Sequence, residues 1–89
     1  MISVEKINDT TFKVTVSGGR TTNHQVTLEP SYYEKLTAGR VAPEQLIEKS
    51  FEFLLERESN SSILSSFSLP VINQYFPEYE KDIQKRLAG

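Results

Sequence analysis

The sequence predicts an α+β domain, in which a three-stranded antiparallel β-meander at the N-terminus is packed on one face by C-terminal helices. Apolar and polar residues alternate through the first third of the chain, which is typical of half-buried strands. Beyond residue 30 the apolar residues recur at three- and four-residue spacing, as they do on one face of a helix. The 89 residues suit a single domain, 1–89, with the meander in 1–29 and the helical layer in 30–89.

The parity of the apolar residues predicts which face of the meander is buried. Phe12, Val14 and Val16 alternate with polar residues and therefore point to one side. The same parity sets Val4 opposite Val14, so the second strand is central and the first and third strands are edges. The other face is polar and is expected to meet water: Ser3, Glu5, Lys13, Thr15, Gln25 and Thr27.

Parity also restricts the turn between the second and third strands. Residues that face each other must lie on the same side of the sheet, so the loop has to hold an odd number of residues. A loop of residues 18–20 pairs Val14 with His24. A loop of residues 18–22 pairs Val14 with Val26 instead, and both alternatives remain open at this stage.

Two helices are predicted next. The first, in residues 31–38, begins with a capping-box pair, Ser31 and Glu34, and ends at Gly39. The second begins at Pro43 and carries an apolar stripe: Leu46, Ile47, Phe51, Leu54 and Leu55. A row on the opposite side is expected to be solvent-exposed: Glu44, Glu48, Glu52 and Glu56.

Two further helical segments complete the predicted layer. A short one is predicted in residues 62–67, and another in residues 69–76 with Ser68 as its cap. The apolar stripe of the last segment continues across Pro77 without losing phase on an ideal helical wheel. This continuity predicts two helical pieces joined at Pro77 by a kink or by a near-collinear break.

The aromatic residues around that proline have two interpretations. Phe76 and Tyr79 lie within about 40° of the centre of the stripe, whereas Tyr75 lies about 60° away. One hypothesis makes Tyr75 and Tyr79 a partner-binding patch, since tyrosine is enriched at interfaces. The other makes the aromatic cluster a lid over the sheet.

Little in the sequence points to catalysis. His24 is the only histidine and there is no cysteine, so no metal site built from these ligands is expected. Gly18 and Gly19 suit a hairpin loop or, alternatively, an anion-binding nest. The chain has no glycine-rich phosphate motif and no nucleophile elbow. We therefore predict a protein that is not an enzyme and has no catalytic residue, metal or cofactor.

Charge and hydropathy bear on the class of partner. Ten basic and twelve acidic residues give a formal net charge of −2, without the basic excess that nucleic-acid binding requires. The first residues lack the apolar run of a secretory signal, and no stretch approaches the roughly 20 apolar residues of a membrane span. We expect a cytoplasmic protein with no membrane or nucleic-acid partner.

Residues 26–58, VTLEPSYYEKLTAGRVAPEQLIEKSFEFLLERE, resemble the ribbon-helix-helix family of DNA-binding proteins and antitoxins. The matching elements are a strand, the entry at Pro30, a first helix, the turn at Gly39 and a long second helix. The resemblance implies that Gln25 and Thr27, alternating along the ribbon, contact the DNA. Two further strands before the ribbon and an acidic second helix depart from that family.

Residues 50–80, SFEFLLERESNSSILSSFSLPVINQYFPEYE, resemble small uncharacterised bacterial proteins of no assigned activity. This likeness implies a stand-alone bacterial domain and supplies no function. The function expected from the sequence is a non-catalytic protein–protein interaction or regulatory module with an unidentified protein partner. The alternative is a ribbon-helix-helix-like DNA-binding regulator or antitoxin, and a homodimer is left open.

Overall fold

The computed structural model of the protein describes residues 1–88. Along the chain its elements are β1 (Ile2–Lys6), β2 (Thr11–Val16), β3 (Thr22–Thr27), α1 (Pro30–Thr37), α2 (Pro43–Leu55), a 3₁₀ turn (Asn60–Ser62), β4 (Ser66–Ser68), α3 (Val71–Tyr75) and α4 (Tyr79–Ala88). The described strands form one sheet in the order β1-β2-β3-β4. The first three pair antiparallel, and β4 joins β3 in parallel. The α+β class is confirmed, but the predicted three-stranded antiparallel meander is wrong because the sheet is mixed and has a fourth strand.

The register of the first three strands follows the predicted parity. Val4 lies opposite Val14, and Val14 lies opposite His24, which is the register predicted with the shorter loop, although the strands themselves end at Val16 and resume at Thr22. The predicted inward-facing residues are all buried: Phe12, Val14, Val16, Val26 and Leu28. They form one core with the inward faces of the helices, while the other face of the sheet stays open.

The segment predicted as a third helix is the part of the fold that the sequence prediction placed wrongly. Residues 62–67 are not helical: Ser62 ends the 3₁₀ turn, and β4 begins at Ser66. The ring of Phe67 points into the core beside Phe51, with 6.0 Å between ring centroids, whereas Ser66 and Ser68 are exposed. This alternation is that of a strand, and it makes β3 an interior strand and not the predicted edge.

The predicted helix starts are confirmed for α2 alone. Pro43 occupies the first turn of α2, as its fixed φ angle favours. Helix α1 starts at Pro30, so Ser31 is already helical and its predicted capping box with Glu34 is wrong; within the described chain the first turn has no side-chain cap. Ser68 belongs to β4, which removes it as the predicted cap of α3.

The chain around Pro77 is broken, not kinked. Helix α3 ends at Tyr75 and α4 begins at Tyr79. Phe76 between them has φ −131° and ψ 89°, away from the helical region that a following proline disfavours. Its carbonyl oxygen accepts a hydrogen bond from the N–H of Tyr79 at 2.9 Å, which starts the new helix.

The acidic row of α2 is only partly exposed. Glu56 faces water, whereas Glu44, Glu48 and Glu52 are half-buried. The first two lie beside Val4 of β1, in a shallow depression between the sheet edge and the helix. The prediction of a fully solvated row is therefore wrong for three of its four members. No helix within residues 1–88 has the length and apolar character needed to cross a membrane.

Candidate functional site

An apolar groove opens between the C-terminal end of α2, the segment that leads into β4, and α3. Its volume is about 240 Å³. Its floor consists of buried side chains: Leu54, Ile63, Phe67 and Ile72. Leu64, Tyr75 and Glu58 also line it and are not buried. The groove therefore joins an apolar floor to a rim that a partner can reach.

The rim concentrates apolar surface that water still contacts. Tyr75 is 67% exposed and Leu64 is 47% exposed. Among residues 1–88 the large exposed hydrophobic side chains are Met1, Ile7, Leu64 and Tyr75. Two of these four flank the same cavity, and contiguous apolar surface of this kind marks interaction sites more often than single scattered residues do.

His24 holds the Leu64 rim in place. Its Nδ1 lies 2.7 Å from the carbonyl oxygen of Leu64, and because that oxygen can only accept, Nδ1 carries the proton. Its Nε2 lies 2.9 Å from the hydroxyl of Thr22, and its ring packs against Phe51. His24 is 3% exposed and lies in the middle of β3.

The two tyrosines predicted as a partner-binding patch are separated. Tyr75 is on the surface, but Tyr79 is fully buried and its hydroxyl lies 2.6 Å from that of Ser50. Burial raises the pKa of Tyr79, although the bond to Ser50 acts in the opposite direction. The helical wheel places Tyr79 near the centre of the apolar stripe and Tyr75 at its edge, which agrees with the burial of the first and the exposure of the second. Tyr79 therefore belongs to the core, and Tyr75 remains the candidate for partner binding.

The residues proposed for DNA contact lie elsewhere. Gln25 and Thr27 are on the open polar face of β3, away from the groove. The major groove of DNA admits an α-helix or a two-stranded ribbon. Strand β3 is instead hydrogen-bonded on both sides, to β2 and to β4, so it lies within a wider sheet.

The glycine pair forms the tip of the β2–β3 hairpin, as one of the two interpretations predicted. Gly19 has a φ of 75°, which glycine adopts readily, and the N–H of Arg20 bonds to the carbonyl of Gly18 at 2.9 Å. The side-chain amide of Asn60 donates to the carbonyl of Arg20 at 2.7 Å. This tip is therefore tied to the turn that precedes β4.

Glu58 is the charged group on the groove wall. It is half-buried, and no ion pair with another residue of the 1–88 range engages it. The neighbouring Arg57 is occupied elsewhere, because its guanidinium stacks 3.6 Å from the centroid of the Phe53 ring and contacts Glu78. The groove therefore combines apolar surface with one uncompensated negative charge.

Leu64 is the groove residue that the sequence did not single out. The sequence predicts a short helix at this position, where no particular exposure is expected. The alternation of apolar and polar residues in Phe67-Ser68-Leu69 is the signal that could have revealed it, because it predicts a strand and places Leu64 in the connection before that strand. Three residues are too few for that pattern to stand out from a helical one.

Comparison with known proteins does not add to this description. No family model, curated protein or solved structure matches the chain. The likenesses of residues 26–58 and 50–80 to other families therefore stay predictions. Within the described residues, no group of three or more His, Cys, Asp or Glu side chains is placed to hold a metal ion.

Proposed function

We propose that this chain is a non-catalytic protein-interaction module and that its partner binds in the groove between β4 and α3. The observation that carries the proposal is the pairing of exposed Tyr75 and Leu64 with an apolar cavity. Full burial of a large apolar side chain such as that of Leu64 contributes about 1.5–3 kcal/mol of favourable free energy. An aromatic ring with a polar tip is also the kind of residue enriched where partners meet.

The size of the groove supports a macromolecular partner over a small ligand. Pockets for drug-sized ligands and cofactors measure about 300–1,000 Å³. The groove measures about 240 Å³, and Tyr75 and Leu64 on its rim are exposed. It suits side chains that extend from a larger partner surface.

The use of the buried polar groups supports a non-catalytic role. His24 bonds to Leu64 and Thr22, and Ser50 bonds to Leu46 and Tyr79. The polar side-chain atoms of both residues therefore form hydrogen bonds within the protein. A base or nucleophile needs a free atom that faces a substrate. We place the module in the cytoplasm with a soluble protein as its partner.

No observation favours the DNA-binding alternative. Its candidate strand is interior to a sheet, and its second helix carries four glutamates, whose negative charge would repel phosphates. The interaction module is therefore the function that the structure supports best.

Site-specific photocrosslinking tests the proposal. A photoreactive amino acid replaces Tyr75 in one variant and Lys13, on the open sheet face, in a matched control. Each variant is irradiated in native lysate. We expect one defined protein adduct from position 75, which unlabelled wild-type protein displaces, and none from position 13. Equal adducts from both positions, or none from position 75, would overturn the proposal.

A further inference from the structure

Strand β4 has one paired side and one free side. It is the last strand in the sheet order, next to β3 alone. The N–H of Gln25 donates to the carbonyl of Ser65 at 2.8 Å, and the N–H of Leu69 donates to the carbonyl of Thr27 at 2.9 Å. Backbone groups alternate in direction along a strand, so those of Ser66, between these two points, are directed away from β3.

The free side carries the backbone groups of Ser66 and Ser68. The register pairs Val26 with Phe67, which places the Phe67 N–H and C=O on the β3 side and leaves the two serines facing outward. Both serines are exposed. Among residues 1–88 no hydrogen bond engages their outward backbone groups. Such an edge is a template for another strand.

The same strand forms part of the groove. The side chain of Phe67 lines the groove with Ile72 of α3. Residues that lie opposite each other in neighbouring strands point to the same face of the sheet. A residue of an added strand that lies opposite Phe67 would therefore direct its side chain towards the groove.

We propose that the partner supplies an extended segment that pairs with the free edge of β4 as a fifth strand and inserts an apolar side chain into the groove. The inference rests on the proposed function and specifies the form of its ligand. Main-chain bonds to Ser66 and Ser68 supply affinity, and the groove supplies specificity, as in other cases of strand addition.

Glu58 adds a requirement for charge. This half-buried residue on the groove wall has no ion-pair partner within the described chain. The segment therefore carries a lysine or arginine near its apolar anchor. A second copy docked through the same edge would bring two Glu58 carboxylates to one interface, where like charges repel. The charge favours a basic segment of another protein.

Selection from a random library of displayed nonapeptides provides a probe of defined chemistry. We expect the selected peptides to share one apolar residue with a basic residue close to it. Binding of a selected peptide should shift the NMR signals of Leu64 and Tyr75. At saturation the amide hydrogens of Ser66 and Ser68 should exchange with solvent at least tenfold more slowly than in the free protein.

A proline variant separates strand pairing from side-chain docking. Ser66→Pro removes an outward N–H, and an edge strand tolerates proline where the N–H faces solvent. Lys6→Pro is the matched control, because the odd-numbered residues of β1 bond to β2 and Lys6 faces the other free edge. We expect at least tenfold weaker peptide binding for Ser66→Pro and a change within twofold for Lys6→Pro.

If Ser66→Pro does not fold, changes in the peptide test strand pairing without altering the protein. Methylating the peptide's backbone nitrogens one at a time should weaken binding at alternate residues only, which is the period of a strand. Equal effects at consecutive residues would overturn strand addition.

The remaining outcomes distinguish the two proposals. Shifts at Leu64 and Tyr75 with unchanged exchange at Ser66 and Ser68 would overturn strand addition and leave the interaction module standing. No shift at Leu64 or Tyr75 with any selected peptide would overturn both. Protection of the two serine amides without peptide, together with a doubled mass in ultracentrifugation, would assign the edge to a second copy and overturn the partner segment.

Discussion

The hydroxyl oxygen of Tyr79 lies 2.6 Å from the hydroxyl oxygen of Ser50, and both side chains are fully buried. Ser50 donates its own hydrogen to the carbonyl of Leu46, one turn earlier in α2, at 2.7 Å. Because the hydrogen of Ser50 is used in that bond, Tyr79 is the donor between the two hydroxyls. This bond joins α4 to α2 through the core.

The direction of that bond predicts an order of stability among three variants. Tyr79→Phe removes a donor and leaves Ser50 bonded to Leu46, so it should cost about 1 kcal/mol of unfolding free energy. Ser50→Ala leaves the Tyr79 hydroxyl buried without a partner and should cost about 1–3 kcal/mol. Urea denaturation should find the double variant no less stable than Ser50→Ala. Additive losses would show that the two hydroxyls do not stabilise the fold through a shared hydrogen bond.

The three aromatic residues around Pro77 should differ in their contribution to stability. Tyr79→Ala empties a fully buried aromatic site and should cost about 3–5 kcal/mol. Phe76 is half-buried, so Phe76→Ala should cost distinctly less. Tyr75→Ala should change the unfolding free energy by no more than about 0.5 kcal/mol, since most of its ring is in water. Chemical denaturation under identical conditions gives the order, and a larger loss for Phe76→Ala than for Tyr79→Ala would contradict it.

The first three strands could be predicted from the sequence because their signal is local. Strict alternation places Phe12, Val14 and Val16 on one side without knowledge of any other part of the chain. Two short turns then restrict the possible strand partners, because only an odd-numbered loop matches apolar residues to one face. The choice between the two odd loops could not be made, since His24 and Val26 both have the required parity.

Strand β4 could not be predicted, and the groove depends on it. It is three residues long, so alternation has too few positions to be recognised. Its pairing joins Val26 to Phe67, far apart in sequence, and parallel partners leave no turn signal between them. Tyr75 was a candidate from its sequence alone, but Leu64 became one only when β4 set the position of the chain before it.

Replacing His24 should destabilise the fold. His24→Ala removes the donor to the Leu64 carbonyl and the ring that packs on Phe51. The loss of this part-buried hydrogen bond costs about 0.5–1.5 kcal/mol, and the lost ring contacts add to this. Thr22→Val is the control, because it leaves the bond to Leu64 in place and should cost less. Unchanged thermal stability of His24→Ala would show that the ring does not hold the Leu64 segment.

Glu56 and Arg86 link the end of α2 to α4 by a two-pronged contact. The two terminal nitrogens of Arg86 lie 2.9 Å and 2.6 Å from the two carboxylate oxygens of Glu56. This hydrogen bonding lowers the pKa of Glu56 below its ordinary value of 4.5. The folded state therefore binds the Glu56 proton less readily than the unfolded state does.

The sign of that shift predicts how the contribution of Glu56 depends on pH. A lowered pKa gives stability that is fully present above pH 4.5 and is lost as the pH falls through the folded-state pKa. Glu56→Gln should therefore be less stable than wild type at pH 7, and the difference should shrink in acid and in high salt. Glu34→Gln, at an exposed position of α1, is the control and should show no such trend. Urea denaturation of the three proteins between pH 7 and pH 3 measures these differences in unfolding free energy. If the difference between wild type and Glu56→Gln stayed constant over that range, the carboxylate charge would not stabilise the contact.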